Sequence, residues 1–141
     1  MTTYKYKGLE PYLPEGALAL LEPLLNQYPL QVVIAKPRKS KFGDYRFPRK
    51  GSSHRISVNG NLNRFHFLIT LIHEYAHLEA YVLSGKTINP HGQEWKDTFK
   101  KCSQAFLEKG LFPEDVATAF VVSLQKGHAS SASSLELMRV L

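Results

Sequence analysis

The residues best suited to chemistry are His73-Glu74-Tyr75-Ala76-His77, an H-E-x-x-H arrangement. On a helix, positions i and i+4 stand one turn apart on one face, so two imidazoles at that spacing reach one ion. Glu74 follows the first histidine and is angled round the helix. From there a carboxylate can take a proton from a water at the ion and hand it to a leaving amine, without itself binding metal. A catalytic zinc takes three protein ligands and keeps a fourth position open. His91 is the third candidate, four residues before Trp95 and in line with the same apolar stripe. Gly92 beside it permits close backbone approach. These residues predict a Zn2+ site with His73, His77 and His91 as ligands, Glu74 as general base, and a protein or peptide as substrate. The bland alternative is a set of satisfied core histidines. Against it, two histidines and a glutamate in an otherwise apolar helix need partners, because unpaired buried polar groups are costly.

The elements that must position these groups are readable from periodicity. Asn61 or Asn63 can cap a helix running to about Leu83, with Gly85 as its stop signal. Phe65, Leu68, Ile69, Leu71, Ile72, Ala76, Ala80 and Val82 put apolar groups on nearly every face, so this reads as the central helix. Residues 84–90 read as a loop, with Asn89 a cap and Pro90 the first position of the next helix. His91 then falls in its first turn, ahead of a stripe of Trp95, Phe99, Cys102 and Phe106. Upstream, residues 1–13 read as an irregular arm, and Pro14 opens a helix that Pro23 kinks or splits. LQVVIA (30–35), KFGDYRF (41–47) and HRISVN (54–59) read as strands, with PRKGSS (48–53) as the turn between the last two. Pro113 opens a last clear helix. The fold class is α+β: a small sheet, with at least one exposed edge, packed on a helical bundle. Residues 1–126 read as one domain. Residues 127–141 read as a small-residue linker and the start of a missing or truncated C-terminal region.

The net charge of +6 is uneven. Between Lys36 and His66 lie nine Lys or Arg residues and one acid, Asp44, while the rest of the chain carries nine basic and eleven acidic residues. A local positive field of this kind attracts polyanions, so DNA is an expected partner through segment 36–66. The competing reading is a solvated basic loop. A single cysteine, Cys102, excludes an internal disulfide and a thiolate zinc knuckle. Cys102 and Trp95 read as core residues. His54, His66 and His128 each stand alone and read as structural or solvated. No apolar run suits a signal peptide or a membrane span, so a cytoplasmic protein without a membrane partner is expected. Oligomeric state is not encoded in any pattern we read.

HEYAH, a loop and then HGQEW resemble the SprT-like metalloprotease domain, the family that includes Spartan. The pairing of HExxH with HG-x-x-aromatic is more selective than HExxH alone. The order of a strand, a Lys/Arg-rich turn, a KFGDYR-like segment and a strand ending in Asn before the metal helix is also similar, and the likeness runs from about residue 14 to 125. The resemblance implies a minimal zincin fold, zinc on His73, His77 and His91, catalysis by Glu74, and proteolysis of DNA-associated or DNA-crosslinked proteins. Many members continue into a cysteine-rich zinc ribbon, and this chain has no cysteine cluster. Two rival readings stand beside this one: a nucleic-acid-binding module with structural zinc, and a general zinc peptidase without a DNA partner. Tyr45 and Arg46 are candidate oxyanion donors, against the reading that both are surface residues.

Overall fold

A computed structural model describes residues 6–85, 91–127 and 135–141. A 3-10 helix (Lys7–Tyr12) leads into α1 (Ala17–Leu25), followed by β1 (Leu30–Ala35), β2 (Gly43–Arg46) and β3 (His54–Asn59). Four helices complete the chain: α2 (Arg64–Ser84), α3 (Gln93–Glu108), α4 (Glu114–Lys126) and α5 (Leu135–Val140). The architecture is α+β, a small three-stranded sheet with several helices, as the periodicities predict.

The strand order is β1-β3-β2, with β1 parallel and β2 antiparallel to β3. β2 is therefore an edge strand. Its register pairs Gly43 with Val58, Tyr45 with Ile56, and Arg46 with Arg55. The Asn59 N–H donates to the Phe42 carbonyl at 2.8 Å. Antiparallel bonding alternates, so Asp44 and Arg46 turn their backbone groups toward β3, while Gly43 and Tyr45 turn theirs to the open edge.

α2 is rich in aromatic and β-branched residues of modest helix propensity, so burial and an effective cap hold it: the Asn63 side chain accepts the His66 N–H at 2.9 Å. Gly85, at φ 83°, ends it. Phe67, Leu68, Leu71, Ile72, Ala76 and Leu78 are almost wholly buried, which fits a helix apolar on most faces. The sheet packs on one side of α2 through β2 and β3, and α3 packs on another. The α3 stripe is buried as expected, with Trp95 and Phe106 fully enclosed and Phe99 and Cys102 nearly so.

Four elements differ from the sequence reading. Residues 6–13 of the predicted arm are packed rather than irregular: Leu9 and Leu13 are buried, and the Tyr6 hydroxyl donates to the Leu25 and Leu30 carbonyls. α1 starts after Gly16, whose φ of 86° suits a residue without Cβ, and it runs through Pro23 as one helix. Pro23 forgoes one bond, to the Ala19 carbonyl, and the helix ends two residues later. β2 is shorter than the predicted 41–47, because Lys41 and Phe42 belong to the segment crossing the end of β3. The terminal stub is helical, with Leu137 buried and the Leu141 carbonyl accepting from Asn63 Nδ2 at 2.9 Å. Of the expected linker, residues 127–134, Gly127 caps α4 with φ 68° and residues 128–134, His128 among them, lie outside the described residues.

Candidate metal centre

Three imidazoles converge between α2 and the start of α3. His91 Nε2 lies 3.0 Å from His77 Nε2 and 3.2 Å from His73 Nε2. Among the described residues, these three form the one group of His, Cys, Asp or Glu side chains close enough to share a metal, all ligand atoms lying within 4.8 Å. A neutral imidazole offers one N–H and one lone pair, so suitable tautomers can hydrogen-bond across these contacts, and the deprotonated nitrogens can equally be turned to one shared cation. Zn–N bonds of about 2.0–2.1 Å in a tetrahedron put ligand nitrogens about 3.3 Å apart, and the two separations from His91 are close to that. Three nitrogen donors and no thiolate also suit zinc.

Helix geometry supplies His73 and His77. His91 arrives differently. It precedes α3, whose N-cap is Gly92, and it holds a left-handed backbone with φ 63°. It is the one non-glycine residue with positive φ among those described. The sequence reading put it inside the first helical turn. The structure corrects this: the ring must turn back onto α2 to meet both partners, and the residue adopts a conformation that L-residues disfavour. Asn89 and Pro90, read as cap and first helical residue, lie outside the described residues.

Trp95 supports all three rings. It is fully buried, its ring centroid lies 4.7 Å from His73, 5.2 Å from His77 and 4.7 Å from His91, and it stacks on His77 at 24°. Its indole N–H donates to the His73 carbonyl at 3.2 Å. Sequence reading assigned Trp95 to the core and missed this support. The four-residue step from His91 was the available signal.

Burial holds the ligands neutral. His73 is pushed well below its ordinary value by burial first and then by His77 and His91. His77 is pushed down to about 4 by burial and then His91, against a smaller opposite pull from Asp44. His91 is lowered by burial and then Lys96. Neutral imidazole is the form that binds metal.

Glu74 is buried, with a carboxylate oxygen 3.8 Å from His73 Nε2. Burial pushes it up to about 8 and Asp44 adds to this, while Arg38 and Lys41 pull it down. A dication opposite this carboxyl favours its ionised form. β2 lies directly on Glu74. A Cβ at Gly43 would meet Thr70 Cγ2 at 2.7 Å, the Ser57 carbonyl oxygen at 3.0 Å and Glu74 Cγ at 3.1 Å. A glycine inside a strand pattern marks such an approach, and this one brings the free sheet edge to the proposed base. Further along β2, Tyr45 and Phe47 pack with Tyr81 of α2. Thr70, Glu74, His77 and Tyr81 form one helical stripe, so β2 runs beside that stripe from Glu74 toward Tyr81.

The remaining sequence candidates fall elsewhere. The Tyr45 hydroxyl is hydrogen-bonded to His54 Nδ1 at 2.8 Å, and Arg46 is exposed and paired with Asp44 at 3.2 Å. Neither is aimed at the imidazole cluster. His54 is buried among Tyr28, Tyr45 and Tyr81, and His66 is buried against Phe42, as structural residues.

The fold and the cluster define a small α+β domain with a three-histidine centre able to hold a metal. The SprT-like family profile matches residues 21–119, and the chain belongs to that family. The family is generally zinc-associated and linked with metallopeptidase-like domains. No curated protein and no solved structure matches the chain. No helix among the described residues is long and apolar enough to cross a membrane.

Proposed function

We propose that this chain is a zinc-dependent endopeptidase with a minimal zincin fold, acting on DNA-associated or DNA-crosslinked proteins. The observation that carries this reading is the meeting of three imidazole nitrogens beside the buried Glu74 carboxyl. His73, His77 and His91 would hold zinc, which supplies Lewis-acid polarisation and lowers the pKa of water. Glu74 takes the proton of the attacking water and returns it to the departing amine. Trp95 holds the ligand rings in place, and burial shields Glu74 from bulk solvent. The free backbone groups of Gly43 and Tyr45 bind an extended substrate as an added strand, beside the stripe that carries Glu74 and His77.

A closed structural zinc is disfavoured, since such sites use four protein ligands, and a buried glutamate beside three histidines has no purpose there. DNA remains the proposed partner of segment 36–66. Arg46 and Arg55 stand directly opposite each other on β2 and β3. Like charges in that position destabilise a sheet, and an external polyanion relieves them. The test is cleavage of a basic DNA-binding protein with and without single-stranded DNA, with Glu74→Gln as control. Cleavage by wild type alone, enhanced by DNA and weakened by salt, is expected. Cleavage indifferent to DNA would leave a general zinc peptidase. Its absence in both conditions would reject the peptidase reading.

A further inference from the structure

Phe47 is the most exposed aromatic contact of the sheet edge: 57% of its surface is open to solvent, yet its ring stacks on Tyr81 at 5.4 Å and 12°. A phenylalanine standing this far into water, held flat against a second ring, presents an unfilled apolar wall. Its position is informative. Tyr81 lies one helical turn beyond the ligand His77 on the stripe that β2 follows, and Phe47 continues directly from the end of β2. The wall therefore continues the line of the open edge at Gly43 and Tyr45, at the end away from Glu74.

From this placement, we infer that Phe47 and Tyr81 form a substrate subsite that selects a large apolar or aromatic side chain amino-terminal to the scissile bond. The inference rests on the peptidase reading above. The direction comes from strand pairing. Antiparallel pairing is the more stable per residue, so a peptide on β2 runs from the Phe47 end toward the Gly43 end. The step from His77 to Tyr81 is about 6 Å along the helix, or about two residues of extended chain. The selected side chain thus lies about two residues before the bond that is cut.

Charge decides its chemistry. An aromatic wall can also take a cation, but Arg46, Arg49, Lys50 and Arg55 occupy the same hairpin. Arg46 and Arg55 project from the other face of the sheet and Asp44 pairs with Arg46, but the net positive charge of the hairpin still disfavours a substrate lysine or arginine. A neutral ring or a branched aliphatic side chain gains the apolar contact without that repulsion, and acidic residues beside it are welcome.

The test uses two peptides that differ only in Phe or Ala two residues before a single cleavable bond. Zinc-loaded wild type should cut the Phe peptide with a kcat/KM about tenfold higher, and Phe47→Ala should remove most of that ratio. The Glu74→Gln protein, which binds without cutting, should prefer the Phe peptide in fluorescence anisotropy, and a Glu74→Gln, Phe47→Ala protein should not. Equal cleavage of both peptides, or a ratio unchanged by Phe47→Ala, would overturn the subsite while leaving the peptidase intact. No cleavage of either peptide, with no difference in binding, would reject both.

Discussion

The α2–α3 interface and the β2–β3 hairpin use the same residue types under opposite conditions. In the interface, three partly buried histidines surround Trp95, His77 stacked on it and His91 edge-on, and their ring nitrogens converge. In the hairpin, His54 also sits among aromatic rings, but its Nδ1 is taken up by the Tyr45 hydroxyl. One histidine with a local partner is structural. Three whose ring nitrogens converge on one point are close enough to hold a metal. Charge divides the same way. The interface keeps Glu74 buried and Glu79 bonded to Cys102, while the hairpin exposes Arg46 and Arg55 face to face. In the proposed function, chemistry belongs to the buried side of α2 and recognition to the exposed sheet edge.

The comparison breaks most visibly at the ligands. His91→Ala should abolish stoichiometric zinc and activity, measured by metal analysis after dialysis. Retained stoichiometric zinc would mean that the third ligand lies elsewhere. Chelation of the wild type should lower its melting temperature, because zinc present at a thousand times its Kd stabilises by about 4 kcal/mol. His54→Ala should leave zinc content unchanged.

Gly43→Ala probes where the two regions touch. Thr70 Cγ2 can rotate away from a new Cβ, but the Ser57 carbonyl is backbone and cannot. The edge must shift off Glu74, costing about 1–3 kcal/mol as overpacking does. Zinc content should be retained while turnover falls. Wild-type turnover in this variant would show that β2 does not set the position of the base.

Smaller effects sharpen the contrast. Arg55→Thr should raise stability by about 0.2–1 kcal/mol by removing the like-charge pair. It should also weaken binding to single-stranded DNA and flatten its salt dependence. Affinity indifferent to this change would argue against the hairpin as the DNA contact. On the buried side, Cys102 donates to Glu79, and its thiol is pushed up to about 12 by burial and then by Glu79. It should resist alkylation at pH 8 until the domain unfolds. Rapid labelling of the folded protein would contradict that environment.

Most of this was legible from the chain. Apolar periodicity located α2, α3 and α4, and β-branched runs located β1 and β3, because both signals report burial directly. The i, i+4 spacing brought His73 and His77 together without tertiary information. His91 was legible as a partner but not in its conformation, since φ 63° answers to a contact across 14 residues of chain from His77 rather than to local propensity. The 3-10 helix and α5 escaped for a related reason: both are short segments stabilised by docking, Leu9 and Leu137 being buried by distant partners. Gly43 could have been recognised as a close-approach glycine, yet its contact with Glu74 depends on how the sheet lies over the helix.

The central claim, hydrolysis driven by Glu74 at a three-histidine zinc centre, is tested most directly by the cleavage rate of Glu74→Gln against wild type at equal zinc occupancy. A loss of about 10²–10⁴-fold with zinc retained is the predicted result. A rate equal to wild type at equal zinc would contradict it.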